Sequence, residues 1–101
     1  MPEMLFCIVW PDGAREACYS PSLVVRDHFA AGSTYALAEF VERSRIALRE
    51  ASARVEARYG FPCSRALGQL ERLERTATRF GTDPAASVTV ERFENIQEAL
   101  P

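Results

Sequence analysis

Residues 4–19 read MLFCIVWPDGAREACY, and the layout of this stretch decides the fold. From Met4 to Trp10 the residues are β formers in strict alternation. Phe6, Ile8 and Trp10 point one way, and Leu5, Cys7 and Val9 point the other. Pro11-Asp12-Gly13-Ala14 then breaks the run, and Asp-Gly is a preferred pair for a tight hairpin. A two-residue Asp12-Gly13 loop sets Trp10 opposite Arg15, Ile8 opposite Ala17 and Phe6 opposite Tyr19. The apolar face so formed holds Phe6, Ile8, Trp10, Ala17 and Tyr19. Cys7 and Cys18 then face each other on the opposite side.

Downstream, Ser20-Pro21-Ser22 interrupts the second strand, because proline cannot donate to a ladder. Leu23 to Phe29 reads as a third strand, closed by the turn Ala30-Ala31-Gly32. From Ser33 the period changes to helical. Leu37, Phe40, Val41, Ser44, Ala47, Leu48, Ala51, Val55 and Tyr59 form one stripe, with Ser33 or Thr34 as the cap. Gly60 ends this helix as a left-handed residue, and Phe61 is expected to fold back on the last turn. Ser64 can cap a second helix carrying Ala66, Leu70, Leu73, Ala77 and Phe80, which stops at Gly81. The short link makes the pair an antiparallel hairpin. Val88 to Phe93 is a last strand. The expected architecture is α+β, in the order β-β-(β)-α-α-β. An antiparallel sheet of three to four strands carries the helix hairpin on one face. Residues 1–93 form one domain and 94–101 a frayed tail.

The chain has 101 residues, 48% hydrophobic and 26% charged, as an ordinary globular domain does. Its 12 basic residues, all arginine, stand against 14 acids, for a net charge of −2. That balance argues against nucleic acid and against acidic membranes as partners. No apolar run approaches the ~20 residues of a membrane helix, and MPEMLFCIVW has no signal-peptide pattern. A cytoplasmic protein is expected. The three cysteines are odd in number and lack paired short spacing, which argues against a disulfide framework.

Several residues invite chemistry. Cys18 or Cys63 with His28 could make a reactive thiol pair, if folding brings them together. Zinc ligands come as closely spaced pairs, which are absent, so neither a metal nor a cofactor is expected. The glycines are scattered and form no phosphate loop. The helical arginines alternate with Glu39, Glu42, Glu50 and Glu56, as on a solvated, ion-paired face; Ile46 is a lone apolar residue there. No catalytic constellation emerges.

The runs Trp10-Pro11-Asp12-Gly13, Cys18-Tyr19-Ser20-Pro21-Ser22, Glu39-Phe40-Val41, Tyr59-Gly60-Phe61 and Cys63-Ser64 together resemble a known family. The chain is similar, from Met1 to about Phe93, to small bacterial nitrogen-starvation response proteins encoded beside a nitrilase-like enzyme. The resemblance implies a place in a nitrogen-scavenging pathway and carries no catalytic residues. A fainter likeness, at fold level, is to small antitoxins with a partial RNase-H-like fold. The expected function is that of a non-enzymatic accessory protein binding a metabolite or a protein partner from the nitrilase-linked cluster. A small cysteine-dependent enzyme and an antitoxin-like regulatory module are the alternatives. The candidate contact residues are Trp10, Asp12, Arg15, Tyr19, Ser20 and Ser22. Core packing is the competing role for Trp10. A homo-oligomer is expected, because a single sheet with helices on one side leaves its other face to cover.

Overall fold

A computed structural model describes residues 2–81 and 83–96. Strands β1 (Met4–Val9), β2 (Arg15–Ser20), β3 (Ser33–Ala36) and β4 (Ser87–Asn95) form one antiparallel sheet in the order β2-β1-β4-β3. Helices α1 (Leu37–Tyr59) and α2 (Ser64–Thr78) form the hairpin that covers one face. The α+β layout expected from the sequence is the one found.

The β1–β2 hairpin is present, but its register differs by one residue from the expected one. Phe6 pairs with Cys18, Cys7 with Ala17 and Val9 with Arg15. The turn explains the shift. Gly13 N–H donates to Trp10 O at 2.9 Å and Trp10 N–H to Ala14 O at 2.8 Å, so the loop is Pro11-Asp12-Gly13. Only Gly13 has positive φ, at 89°, whereas an Asp12-Gly13 loop of the two-residue kind needs positive φ at both positions. Proline prefers the second position of a type I turn, which places Gly13 in the bulge that follows. Asp12 Oδ1 accepts from Ala14 N–H at 3.0 Å and holds the corner. Cys18 is therefore on the helix side, fully buried beside Met4, Phe6, Ile8 and Trp10, and Ala17 is exposed. Cys7 and Cys18 do not oppose each other.

Leu23 to Phe29 is not a strand. Leu23–Asp27 is a short 3-10 helix, started by Ser22, whose Oγ accepts from Val24 N–H at 3.2 Å. Ser20 Oγ donates to Ser22 O at 2.7 Å, so both serines are consumed in reversing the chain. Val24, Val25 and Phe29 still reach the core. The third strand is instead Ser33–Ala36, after the Gly32 turn, at the far edge beside β4. Helix α1 accordingly starts at Leu37, and neither Ser33 nor Thr34 caps it. Tertiary contact replaces the cap: Leu37 N–H donates to Ala86 O at 3.0 Å.

Strand β4 runs to Asn95, two residues beyond the expected end, and residues 97–101 of the expected tail lie outside the described residues. A bulge opposite Cys7 and Ile8 lets Val88, Val90 and Phe93 all meet the core, although they are spaced by two and then three. Around Phe29 and Phe40 the aromatic rings touch with centroids 5.4–5.9 Å apart. Full burial of Phe6, Ile8, Phe40 and Leu48 contributes about 1.5–3 kcal/mol each.

Gly60 closes α1 at φ 89°, its N–H donating to Glu56 O at 2.8 Å, as its position in the sequence implies. Cys63, not Ser64, stands at the N-cap of α2, and its N–H is taken by Ser52 Oγ at 3.0 Å. Phe61 does not fold back on α1; it is 66% exposed. Helix α2 also guards the sheet edge, where buried Gln69 Oε1 accepts the Tyr19 N–H at 2.9 Å.

Candidate functional site

The hairpin residues divide between core and surface. Trp10 is 4% exposed, stacked on Phe80 and edge-on to Phe40, with its indole N–H donating to Glu16 Oε1 at 2.9 Å. Ser20 and Ser22 are buried in the turn they build. Asp12 and Arg15 are exposed, and Arg15 pairs with Glu91 at 3.1 Å across the open sheet face. Tyr19, opposite Leu5, leaves the core face and lies at the sheet edge. There its hydroxyl donates to Glu3, and the Arg65 guanidinium stacks 3.8 Å from the ring centroid. Burial and the bond to Glu3 push the Tyr19 phenol well above its ordinary range. A partner touching the hairpin tip meets Asp12 and Arg15, with Trp10 buried behind them, while Tyr19, Ser20 and Ser22 lie at the other end of β2.

The thiols stand apart. Cys18 is on β2, inside the core, and burial with the neighbouring Glu16 carboxylate raises its thiol well above 9. Cys7 is raised too, by burial first, and its Sγ donates to Glu94 at 3.7 Å. Cys63 is half-buried in the interhelix link. His28 Nε2 lies 3.2 Å from Glu50, and Arg43 donates to the His28 carbonyl at 2.9 Å, so this residue ties the 3-10 segment to α1. Among the described residues no hydrogen bond joins His28 to a cysteine, and no cluster of His, Cys, Asp and Glu could hold a metal. No helix among them is long and apolar enough to cross a membrane.

A roomier opening than the hairpin offers lies elsewhere, and sequence reasoning missed it. A cleft of about 520 Å³ lies where β3 passes into α1, α2 ends and the loop after Gly81 returns to β4. Its walls are small and apolar: Ala36, Leu37, Ala38, Val41, Ala77 and Ala86. The helical period assigns some of these to core stripes, but alanines cannot fill the space where two helices and a loop converge. At the rim Arg45 Nε donates to Glu74 at 2.6 Å, linking α1 to α2, and its Nη1 reaches Glu42 at 3.3 Å. The polar side chains are already engaged. Thr78 Oγ1 donates to Arg75 O at 2.6 Å, and Asp83 Oδ1 accepts from Ala85 N–H at 2.9 Å. At the start of α1 the Leu37 N–H is already taken by Ala86 O, and Ala38 lines the cleft beside it. Such an enclosure suits an apolar body with a small polar end. Among its lining side chains no nucleophile stands beside a base, and the exposed Asp83 carboxylate keeps a second oxygen open.

Comparison with known proteins gives one finding. No curated protein and no solved structure matches the chain significantly. A family model described as nitrogen starvation-induced protein NitG matches residues 5–93, a span that takes in both helices, β2, β3, all of β1 but Met4 and all but the last two residues of β4. The chain therefore belongs to the nitrogen starvation-induced NitG family.

Proposed function

We propose that the protein is a non-enzymatic accessory protein of the nitrogen-starvation response that binds a small, largely apolar metabolite in the cleft between α1, α2 and the loop 83–86. The observation that carries this reading is the content of the cleft. Its walls are largely apolar, Thr78, Arg45 and Glu74 are engaged in structural bonds, and Asp83 is left with one open carboxylate oxygen as a polar end. Pre-formed apolar clefts with a few fixed polar groups are where small ligands bind. Family membership supplies the physiological setting, and the resemblance to proteins encoded beside nitrilase-like enzymes supports a place in that pathway.

The test fills the cleft without touching the core. Ala38 is exposed on the first turn of α1 and lines the cleft, so Ala38→Phe projects a ring into it. The neutral fluorophore Nile red serves as the probe. The wild-type protein is expected to bind it saturably, and Ala38→Phe to weaken binding by about tenfold or more, equivalent to ~1.4 kcal/mol. Equal binding by both, with both folded, would remove the cleft as the site.

A further inference from the structure

A second recess stands on α2, on the side of the molecule that faces Tyr19. It has a volume of about 370 Å³ and is lined by Tyr19, Ser64, Arg65, Gly68 and Arg72. Spacings of three and four place Arg65, Gly68 and Arg72 on one face of the helix, so the glycine is a notch between two arginines. Nothing about the backbone asks for glycine there. Gly68 lies in the middle of a regular helix without positive φ, a position where glycine is weaker than alanine. A Cβ added to it would meet only Arg72 Nη1, at 3.6 Å, which is an ordinary contact.

The two guanidiniums differ in how they are held. Arg65 stacks on the Tyr19 ring and shares Glu3, at 3.2 Å, with the tyrosine hydroxyl. Among the described residues Arg72 donates one side-chain hydrogen bond, to the amide oxygen of Gln69 at 3.4 Å, and forms no ion pair. Arginine paired with nothing charged, beside a second arginine already oriented by a ring, is a fork ready for an oxyanion. The Ser64 hydroxyl adds a neutral donor. The local charge, Arg65 and Arg72 against Glu3, stays positive.

We propose that the Gly68 notch between Arg65 and Arg72 binds the phosphoryl group of a small phosphate ester. Arg65, about one turn before Gly68, and Arg72, about one turn after it, approach the notch from two sides, which suits the several oxygens of a tetrahedral anion. The recess is also roomier than a bare phosphate requires, which leaves space for the esterified group.

The experiment titrates the isotopically labelled full chain with phenyl phosphate and, separately, inorganic phosphate at constant ionic strength, reading amide shifts by NMR. Constant salt matters because exposed charges are screened within ~10 Å at 0.1 M. Saturable shifts centred on Ser64 to Arg72 are expected with both, the ester binding at least as tightly. Arg72→Gln is expected to weaken binding by roughly tenfold, and Glu3→Gln to tighten it. Gly68→Ala is the decisive variant. It improves helix propensity and creates no clash, so its fold persists, while its methyl group occupies the notch and lowers affinity by about tenfold. Unchanged affinity in Gly68→Ala and Arg72→Gln, or no shifts on α2 with either anion, overturns the site. Binding of inorganic phosphate without phenyl phosphate overturns the assignment to an ester.

Discussion

The hairpin register makes a quantitative prediction about the three thiols. With Phe6 opposite Cys18, the Cys18 side chain has no solvent exposure and its thiol is held in the neutral form by burial. The thiolate is what attacks an alkylating reagent, so Cys18 reacts only after the chain opens. A domain of this size has a stability of ~5–15 kcal/mol, and at the lower end about one molecule in several thousand is open. Cys18 should therefore label at least about a thousandfold more slowly than Cys63, which is half-buried in the interhelix link. Cys7, 6% exposed on the uncovered sheet face, should fall between them. Urea sharpens the contrast. With a slope of ~1 kcal/mol per molar, Cys18 labelling should rise about fivefold per molar while Cys63 stays nearly flat. The assay is peptide-resolved mass spectrometry after timed alkylation below the unfolding midpoint. Cys18 labelling within tenfold of Cys63 and independent of urea would refute the register. So would a Cys7–Cys18 disulfide formed by mild oxidation of the folded protein.

Two further outcomes follow from the same packing. Cys18, Cys7 and Tyr19 all have folded pKa values raised above their unfolded ones. Their stabilising contribution is complete below the unfolded values and declines as the pH climbs through about 9 and then 10, because the unfolded chain then loses protons that the folded chain keeps. Equilibrium denaturation between pH 7 and 10.5 should show stability falling, by up to ~1.4 kcal/mol per pH unit for buried Cys18 and by less for Cys7 and Tyr19, and Cys18→Ala should flatten the slope. A profile level to pH 10.5 would contradict this. Truncating Trp10, buried between Phe40 and Phe80, should cost about 3–5 kcal/mol. Lost partner binding in Trp10→Ala would therefore report unfolding, and thermal melts of Trp10→Ala beside Trp10→Phe separate the two effects.

Periodicity carried most of the fold. Leu37, Phe40, Ser44, Ala47, Leu48 and Ala51 and the set Ala66, Leu70, Leu73 and Ala77 are buried as helix spacing requires, and Gly60 stops α1 by its left-handed φ. Val41 and Val55 are only half-buried, and Tyr59 is exposed because the last turns of α1 run past the sheet. The misreadings arise where two local chemistries compete. Pro11-Asp12-Gly13 holds an Asp-Gly pair and a Pro-Asp pair, and the proline ring, with φ fixed, decides for the longer turn. Leu23 to Phe29 is rich in β formers, yet Ser22 captures Val24 N–H and starts a helical turn instead. Thr34 and Tyr35 carry a strand signal only once β4 is beside them, since a four-residue edge strand has no period of its own. The cleft was invisible because it is made of what small side chains leave unfilled. The Gly68 notch did leave a trace, a glycine between arginines inside a helical run, but the same charges suit a solvated face equally well.

The sheet order gives the chain a particular vulnerability during synthesis. Strand β4 lies between β1 and β3 and is the last of the four to be made. Until Ser87–Asn95 arrives, β1 has one unpaired edge and β3 has no strand partner, although the β1–β2 hairpin and both helices can already form locally. The first 86 residues thus hold three of the four strands and both helices, with the sheet split open along the middle. Its open edges can pair with other chains, so a ribosome stalled before β4, or a protease cut in the loop that precedes it, would release a product prone to aggregate. The last strand to be made is the piece that closes the sheet.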